Sequence, residues 1–198
     1  MSNSIAVETR GKTLVVRFTR PDIRNPLSVE VLESLDRIID EGSNSANIEK
    51  IIFTGTGNVF ASGADLREIA VLTPENAKEF SLRGQNLMQK IADSSTPAIA
   101  AINGFCFGGA LDLALSCNRR IASPDSTFCH PGVKLGIITG WSGTQRLPRL
   151  IGQANALEMF FTAKQLGASD ALRIGLIHQI VRDPLAESLA NEIGDRSS

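Results

Sequence analysis

Residues 103–117 read NGFCFGGALDLALSC, an apolar run interrupted by a single carboxylate, Asp112. A charged carboxylate among Leu111, Leu113, Ala114 and Leu115 is costly to bury unless something favours its charge. The glycines ahead of it, Gly108 and Gly109, suggest a turn into a helix. The first N–H groups of a helix have no partner within it and carry the positive end of its dipole. Asp112 falls in that first turn, where the dipole favours a carboxylate by roughly 0.3–1 kcal/mol. That is too little to offset burial in an apolar site, so Asp112 needs further partners or a wet cavity. Two readings fit this segment alone: a glycine turn capped by an acid, or a place where free N–H groups meet developing negative charge. A second segment, FASGADLRE, repeats the pattern, with Gly63 just before a helix start and the Ala64 N–H left free. If the two starts converge, they hold one carbonyl oxygen between two backbone donors, which is an oxyanion hole.

Other chemistries find less support. GTGNVF follows a strand, but Phe60 occupies the third glycine position of a dinucleotide fingerprint, and the helix does not open directly. No GxxxxGK[ST] run is present, which excludes a nucleotide P-loop at the level of the motif. GWSGT departs from a GxSxG elbow at Thr144, leaving a serine hydrolase as a third choice with only His130 and His178 as bases. The two histidines give no metal-ligand spacing, so no metal is expected.

The chain of 198 residues has 42% hydrophobic and 21% charged residues and a formal net charge of -1. That is the profile of one globular domain. Basic residues are scattered, aromatic residues are few and Tyr is absent, so neither nucleic acid nor an anionic membrane is an expected partner. Cys106, Cys117 and Cys129 match no disulfide or zinc framework and read as small hydrophobes in a reducing compartment. No secretory signal opens the chain and no apolar run approaches a membrane span, so a cytoplasmic location is expected.

The elements that position these residues follow from periodicity. SIAVETRGKTLVVRFTRP reads as two strands about a Gly11-Lys12 turn, ended by Pro21. SVEVLESLDRIIDEG has Val31, Leu32, Leu35, Ile38 and Ile39 at helical spacing, with Ser28 as N-cap and Gly42 beyond the end. IEKIIFTG is a strand, and VFASGADLREIA a loop leading into a helix. PENAKEFSLRGQNLMQKIADS is a longer helix with Pro74 at its start, and AIAAI a strand buried on both faces. A turn and buried helix follow, then the strand RRIASP, two short helical segments (PGVKLG and GTQRLPRLIG) and the helix QANALEMFFTA. SDALRIGLIHQIV reads as helix, Gly175 stop and strand, and PLAESLANEIG is the last element. Strands alternating with helices define an α/β class.

FASGADLREI, AAINGFCFGGALDLALSC and GVKLGIITGWSGTQRLPRLIG, in this order, resemble the enoyl-CoA hydratase/isomerase, or crotonase, family. The match runs from the N-terminal hairpin to GLIHQIV. The resemblance implies a spiral of ββα repeats over about residues 1–182 with a short helical tail at 183–198. It also implies a homo-trimer or hexamer, and an acyl-CoA substrate whose coenzyme A is part of the substrate, with no separate cofactor. Catalysis would use the N–H groups of Ala64 and Gly109 to hold an enolate, with Asp112 at the first acid position, lining the acyl pocket. Ser62, Asp65 and Leu66 would follow the pantetheine and adenine. Arg24, Pro26 and Leu27 of RNPLS form an early CoA-contacting segment, and Arg24 and Arg67 could meet phosphates. Gly108, Pro131, Gly132 and Gly140 complete the acyl-binding set.

The chain departs from that family in three places. Asp112 is one methylene shorter than the usual glutamate. Gly132 stands where the second glutamate is expected, so ordinary hydration, which needs one group to activate water and one to protonate carbon, is in doubt. Family members continue past GLIHQIV with further helices, and this chain stops at ANEIGDRSS, which reads as a truncated C-terminal region. Cys129, His130, Trp141 and Ser142 flank the same pocket. His130 is either the replacement base, since its ordinary pKa lies near neutrality, or a packed or capping side chain. The remaining alternatives are another enolate reaction, such as thioester hydrolysis by Asp112 or His130, and a non-catalytic acyl-CoA-binding or assembly subunit.

Overall fold

The computed structural model describes residues 4–190. The chain opens with the hairpin β1 (Ile5–Arg10) and β2 (Thr13–Phe18), turned at Gly11 with φ of 59°. It continues through β3 (Pro26–Leu27), α1 (Val29–Ser43), β4 (Lys50–Thr54), β5 (Val59–Ala61), β6 (Gly63–Ala64), α2 (Leu66–Ile69) and α3 (Pro74–Asp93). Next come β7 (Ala98–Ile102), β8 (Phe105–Phe107), α4 (Gly109–Ser116), β9 (Arg119–Ala122) and β10 (Thr127–Cys129). A 3₁₀ turn (Pro131–Leu135) leads into α5 (Gly143–Ile151), α6 (Gln153–Thr162), β11 (Leu166–Gly167), α7 (Ala168–Arg173), β12 (Gln179–Ile180) and α8 (Pro184–Ala190). The expected C-terminal tail is helical to Ala190, and its remainder lies outside the described residues.

One sheet has the order β1-β2-β4-β7-β9-β12 and a second the order β11-β10-β8-β5. From β2 onward the first sheet is parallel. Each of the pairs β4/β5, β7/β8 and β9/β10 places its first strand in the first sheet and its second in the other, and a helical segment follows. This is the turning ββα repeat of the expected spiral. The strand AIAAI is buried throughout, as a central parallel strand covered on both faces must be.

Two expectations need correction. Gly42 lies inside α1 rather than beyond it, at a point where a Cβ would stand 3.1 Å from Ile51 Cδ1 and Leu14 Cδ2. The glycine lets the helix sit close on the sheet. The stretch read as a loop before α2 contains β5 and β6, two strands too short to show a period of two. Ser28 caps α1 as expected, its hydroxyl accepting from Val31 N at 3.3 Å.

Candidate active site

Gly108 holds φ of 55° and ψ of -127°, a conformation closed to side-chain-bearing residues, and donates its N–H to Cys129 O at 2.8 Å. The helix behind it makes its first bonds to Gly108 O from Leu111 N at 2.9 Å and Asp112 N at 3.1 Å. The Gly109 N–H is therefore not used by α4. The other candidate donor, Ala64, ends β6, which pairs in parallel with β3 in the register Pro26↔Gly63 and Leu27↔Ala64. The two glycine turns touch. A Cβ built on Gly63 would lie 2.5 Å from Gly109 N, and one on Gly109 would lie 3.4 Å from Ala64 N. The approach requires glycine at 63, and Gly109 is required by the Trp141 ring, which an added Cβ would meet at 2.3 Å.

Both turns open onto a cavity of about 220 Å³. Its wall includes Ser62, Ala64, Leu66, Gly108, Gly109, Pro131, Gly132 and Gly140, all expected site residues, together with Phe80, Ile137, Ile138 and Trp141. The lining is mostly apolar, suited to a hydrocarbon chain with a few polar groups to orient it. Trp141 is wedged between two glycines: a Cβ on Gly84 would meet its ring at 2.1 Å and one on Gly109 at 2.3 Å.

Five of the expected binding residues do not border this cavity. Leu27 is wholly buried in the core, with its backbone paired to Ala64 of β6, so its side chain is not free to meet a ligand. Pro26 is its half-buried neighbour in β3. Arg24 lies with its guanidinium 5.0 Å from the Phe105 ring centre. Asp65 caps α2, accepting from Arg67 N at 2.9 Å, and also binds the Arg67 guanidinium at 2.6 Å. That hydrogen-bonded pairing holds the Asp65 carboxyl below its ordinary range. Asn25, which the sequence reading passed over, clamps this region. Buried, it donates to Val59 O at 3.1 Å and Phe60 O at 3.0 Å and accepts from Arg20 N at 2.6 Å. An asparagine between an arginine and a proline is the one available signal, since Asn tolerates the left-handed conformation it adopts (φ of 49°).

Asp112 is 0% exposed and does not border the cavity, which corrects the expectation that it lines the pocket. The segment 139–143 closes over it. Thr139 Oγ1 donates to Oδ2, and the Trp141 and Gly143 backbone N–H groups bear on the carboxylate. A Cβ on Gly143 would fall 2.1 Å from Oδ1, so the glycine makes room for the acid. Burial nevertheless dominates these favourable contacts and the more distant Arg146 charge, raising Asp112 to about 7. The partners that the apolar sequence demanded are present and insufficient.

His130 is a neighbour of Asp112 that reaches the cavity wall. It borders the cavity, is 2% exposed, and brings Nε2 to 3.6 Å from Asp112 Oδ1. Oδ1, His130 Nδ1 and His130 Nε2 all lack a hydrogen bond among the described residues. Burial lowers His130 to about 4, so the imidazole is neutral near neutral pH. It does not cap the 3₁₀ turn that follows it. Gly132 lies against backbone, where an added Cβ would stand 2.6 Å from Ile137 O. No room remains for a second carboxylate at that position unless residues 137–138 move.

All three cysteines are free and buried. Among the described residues no cluster of His, Cys, Asp and Glu is placed to hold a metal, and no helix is long and apolar enough to cross a membrane.

Two glycine segments in contact at an apolar cavity, on a spiral of ββα repeats, agree with the crotonase class of fold. The enoyl-CoA hydratase/isomerase family model matches residues 8–193. The short-chain-enoyl-CoA hydratase of Clostridium acetobutylicum is 37% identical over 195 residues, covering 98% of this chain and 75% of that protein. The crotonyl-CoA hydratase of Syntrophomonas wolfei is 37% identical over 180 residues, covering 90% of this chain and 69% of that protein. An enoyl-CoA hydratase structure from Bacillus anthracis superposes with a TM-score of 0.88 at 34% identity, covering 95% of this chain and 74% of that one. The chain belongs to the enoyl-CoA hydratase/isomerase family.

Proposed function

We propose that the protein binds an acyl-CoA thioester and stabilises the enolate formed from it, the thioester oxygen resting between the N–H groups of Ala64 and Gly109. The observation that carries this reading is the contact of the two glycine turns at the cavity, with the Gly109 N–H unused by its own helix. Two preorganised donors aimed at developing charge act without reorganisation during reaction, which is why such a pair lowers a barrier. The coenzyme A belongs to the substrate. Ser62 and Leu66 take its arm along the cavity edge, while Arg24 and Arg67 meet its phosphates, Arg67 from its pairing with Asp65. The reaction is isomerisation or another proton transfer through the enolate in preference to ordinary hydration. Hydration draws on two acid–base groups, and Gly132 supplies none where the second is expected.

The assembly proposed is a homo-trimer or hexamer, supported by the apolar side chains that α6 exposes, Leu157 and Phe161. A thermal-shift and turnover screen against a panel of saturated, α,β-enoyl and β,γ-enoyl CoA thioesters tests the function. Stabilisation by thioesters together with turnover of an enoyl thioester is expected. Stabilisation without any turnover would favour a non-catalytic acyl-CoA binder, for which the closed packing of Gly132 is the supporting observation. No response to any thioester would overturn both readings.

A further inference from the structure

We propose that His130 is the group that exchanges a proton with the carbon skeleton of the bound thioester, and that Asp112, shut behind the wall, is a positioning residue for it. This rests on the acyl-CoA reading above and assigns the acid–base chemistry within it. Three observations carry the assignment. His130 borders the cavity and Asp112 does not. Nε2 faces Asp112 Oδ1 at 3.6 Å. Neither ring nitrogen has a hydrogen bond among the described residues. An imidazole buried with both nitrogens unpaired is a poor filler compared with a leucine, and its ring contact with Phe160, at 5.1 Å between centres, uses only its face. Nε2 lies just beyond hydrogen-bond distance of the carboxylate, so a small approach of the two side chains would give the oriented base that catalysis uses, with the other nitrogen unengaged.

The step balances without a co-reactant. The Nδ1 lone pair takes a proton from the carbon next to the thioester carbonyl. The C–H electron pair becomes the enolate double bond, and the charge moves to the oxygen held by Ala64 and Gly109. The imidazolium keeps its Nε2–H toward Asp112 Oδ1. Return of the proton to the same carbon gives hydrogen exchange, and its return to the γ-carbon of a β,γ-enoyl thioester gives the α,β isomer. In both cases His130 ends neutral, and neither reaction needs the carboxylate that Gly132 lacks. The charged and titratable groups that bear on the pair are Arg146 of α5 and Cys106 of β8.

The experiment follows exchange of the α-hydrogens of butyryl-CoA in D₂O by proton NMR, with thioester binding measured in parallel by calorimetry. The unaltered protein is expected to exchange. His130→Gln should slow exchange about 10²-fold or more while changing the dissociation constant less than about threefold. Circular dichroism checks that each variant folds, and His130→Gly with added imidazole gives a second route, in which recovery of exchange is expected. For Asp112→Asn, exchange should persist while its rate loses the rise with pH that ionisation of Asp112 gives the unaltered protein. Exchange by His130→Gln at the unaltered rate, an Asp112→Asn profile that keeps the rise, or failure of imidazole to restore exchange in a folded His130→Gly protein would each overturn the assignment. Binding without exchange in the unaltered protein would overturn it while leaving the acyl-CoA reading standing. Absence of thioester binding would overturn both.

Discussion

Asp112 and His130 should tilt the pH dependence of stability in opposite directions, and replacing either should reveal the slope of the other. Asp112 rises from an ordinary 3.8 to about 7 in the folded protein. Over that window the unfolded chain has released the proton that the folded chain keeps, so its contribution to stability is full below about 4 and is lost as pH rises through about 7. His130 falls from 6.5 to about 4. Its contribution is present above about 6.5 and is lost as pH falls toward 4, because the unfolded chain takes up a proton that the buried ring refuses. At about 1.4 kcal/mol per pKa unit, each group changes stability by roughly 2 kcal/mol between about pH 5 and pH 7, with opposite sign. The unaltered pair nearly cancels. Burial is the largest cause of the Asp112 shift and the cause of the His130 shift, so each keeps its direction when its partner is replaced. Asp112→Asn should therefore gain roughly 2 kcal/mol relative to the unaltered protein on going from about pH 5 to pH 7. His130→Gln should lose about as much over the same interval. Urea unfolding of the three proteins at several pH values measures this directly. Parallel stability curves for all three would refute the burial of the pair as described.

Three further outcomes follow from the packing. Gly132→Glu, with or without Asp112→Glu, should lower stability by about 1–3 kcal/mol and fail to raise hydration of a short trans-2-enoyl-CoA, because its Cβ would meet Ile137 O at 2.6 Å; melting and loss of the enoyl chromophore report both. Gly143→Ala should destabilise by a similar amount and be partly relieved by Asp112→Ala, since the added methyl would stand 2.1 Å from Asp112 Oδ1 and 2.8 Å from Thr139 Cγ2; a double-mutant cycle measures the coupling. Gly109→Pro should remove one backbone donor and also press a Cβ against the Trp141 ring at 2.3 Å, so thioester reaction should slow by at least about 10²–10³-fold, read from initial rates at saturating thioester in a variant that circular dichroism shows to be folded.

The long amphipathic helices were legible from their period, the hairpin from its strands about the Gly11-Lys12 turn, and β7 as a continuous apolar run. The second sheet was not. Its strands β5, β8, β10 and β11 are two or three residues long, and only pairing across the repeats defines them. At the site, Gly109 was legible because a helix start has a local signature, whereas Gly63 and Ala64, expected at a second helix start, form the strand β6 ahead of the α2 cap at Asp65. The seclusion of Asp112 was not legible, since it depends on Thr139, Trp141 and Gly143 folding over the carboxylate from the next repeat. The same holds for His130, whose residue type suggested a base but whose distance from Asp112 arises from tertiary packing. Gly132 was read as a missing acid. That a side chain there would strike the backbone at Ile137 is visible only in the fold.

The central claim, a thioester carbonyl held between Ala64 N–H and Gly109 N–H, is tested most directly by difference infrared spectroscopy of a bound acyl-CoA carrying a ¹³C-labelled carbonyl. Two hydrogen bonds from preorganised donors should move the carbonyl stretch to lower frequency on binding, and Gly109→Pro, in protein shown to fold and bind despite the contact with Trp141, should return it partway. A bound thioester whose carbonyl absorbs at its frequency in water, unchanged by Gly109→Pro, would contradict the account.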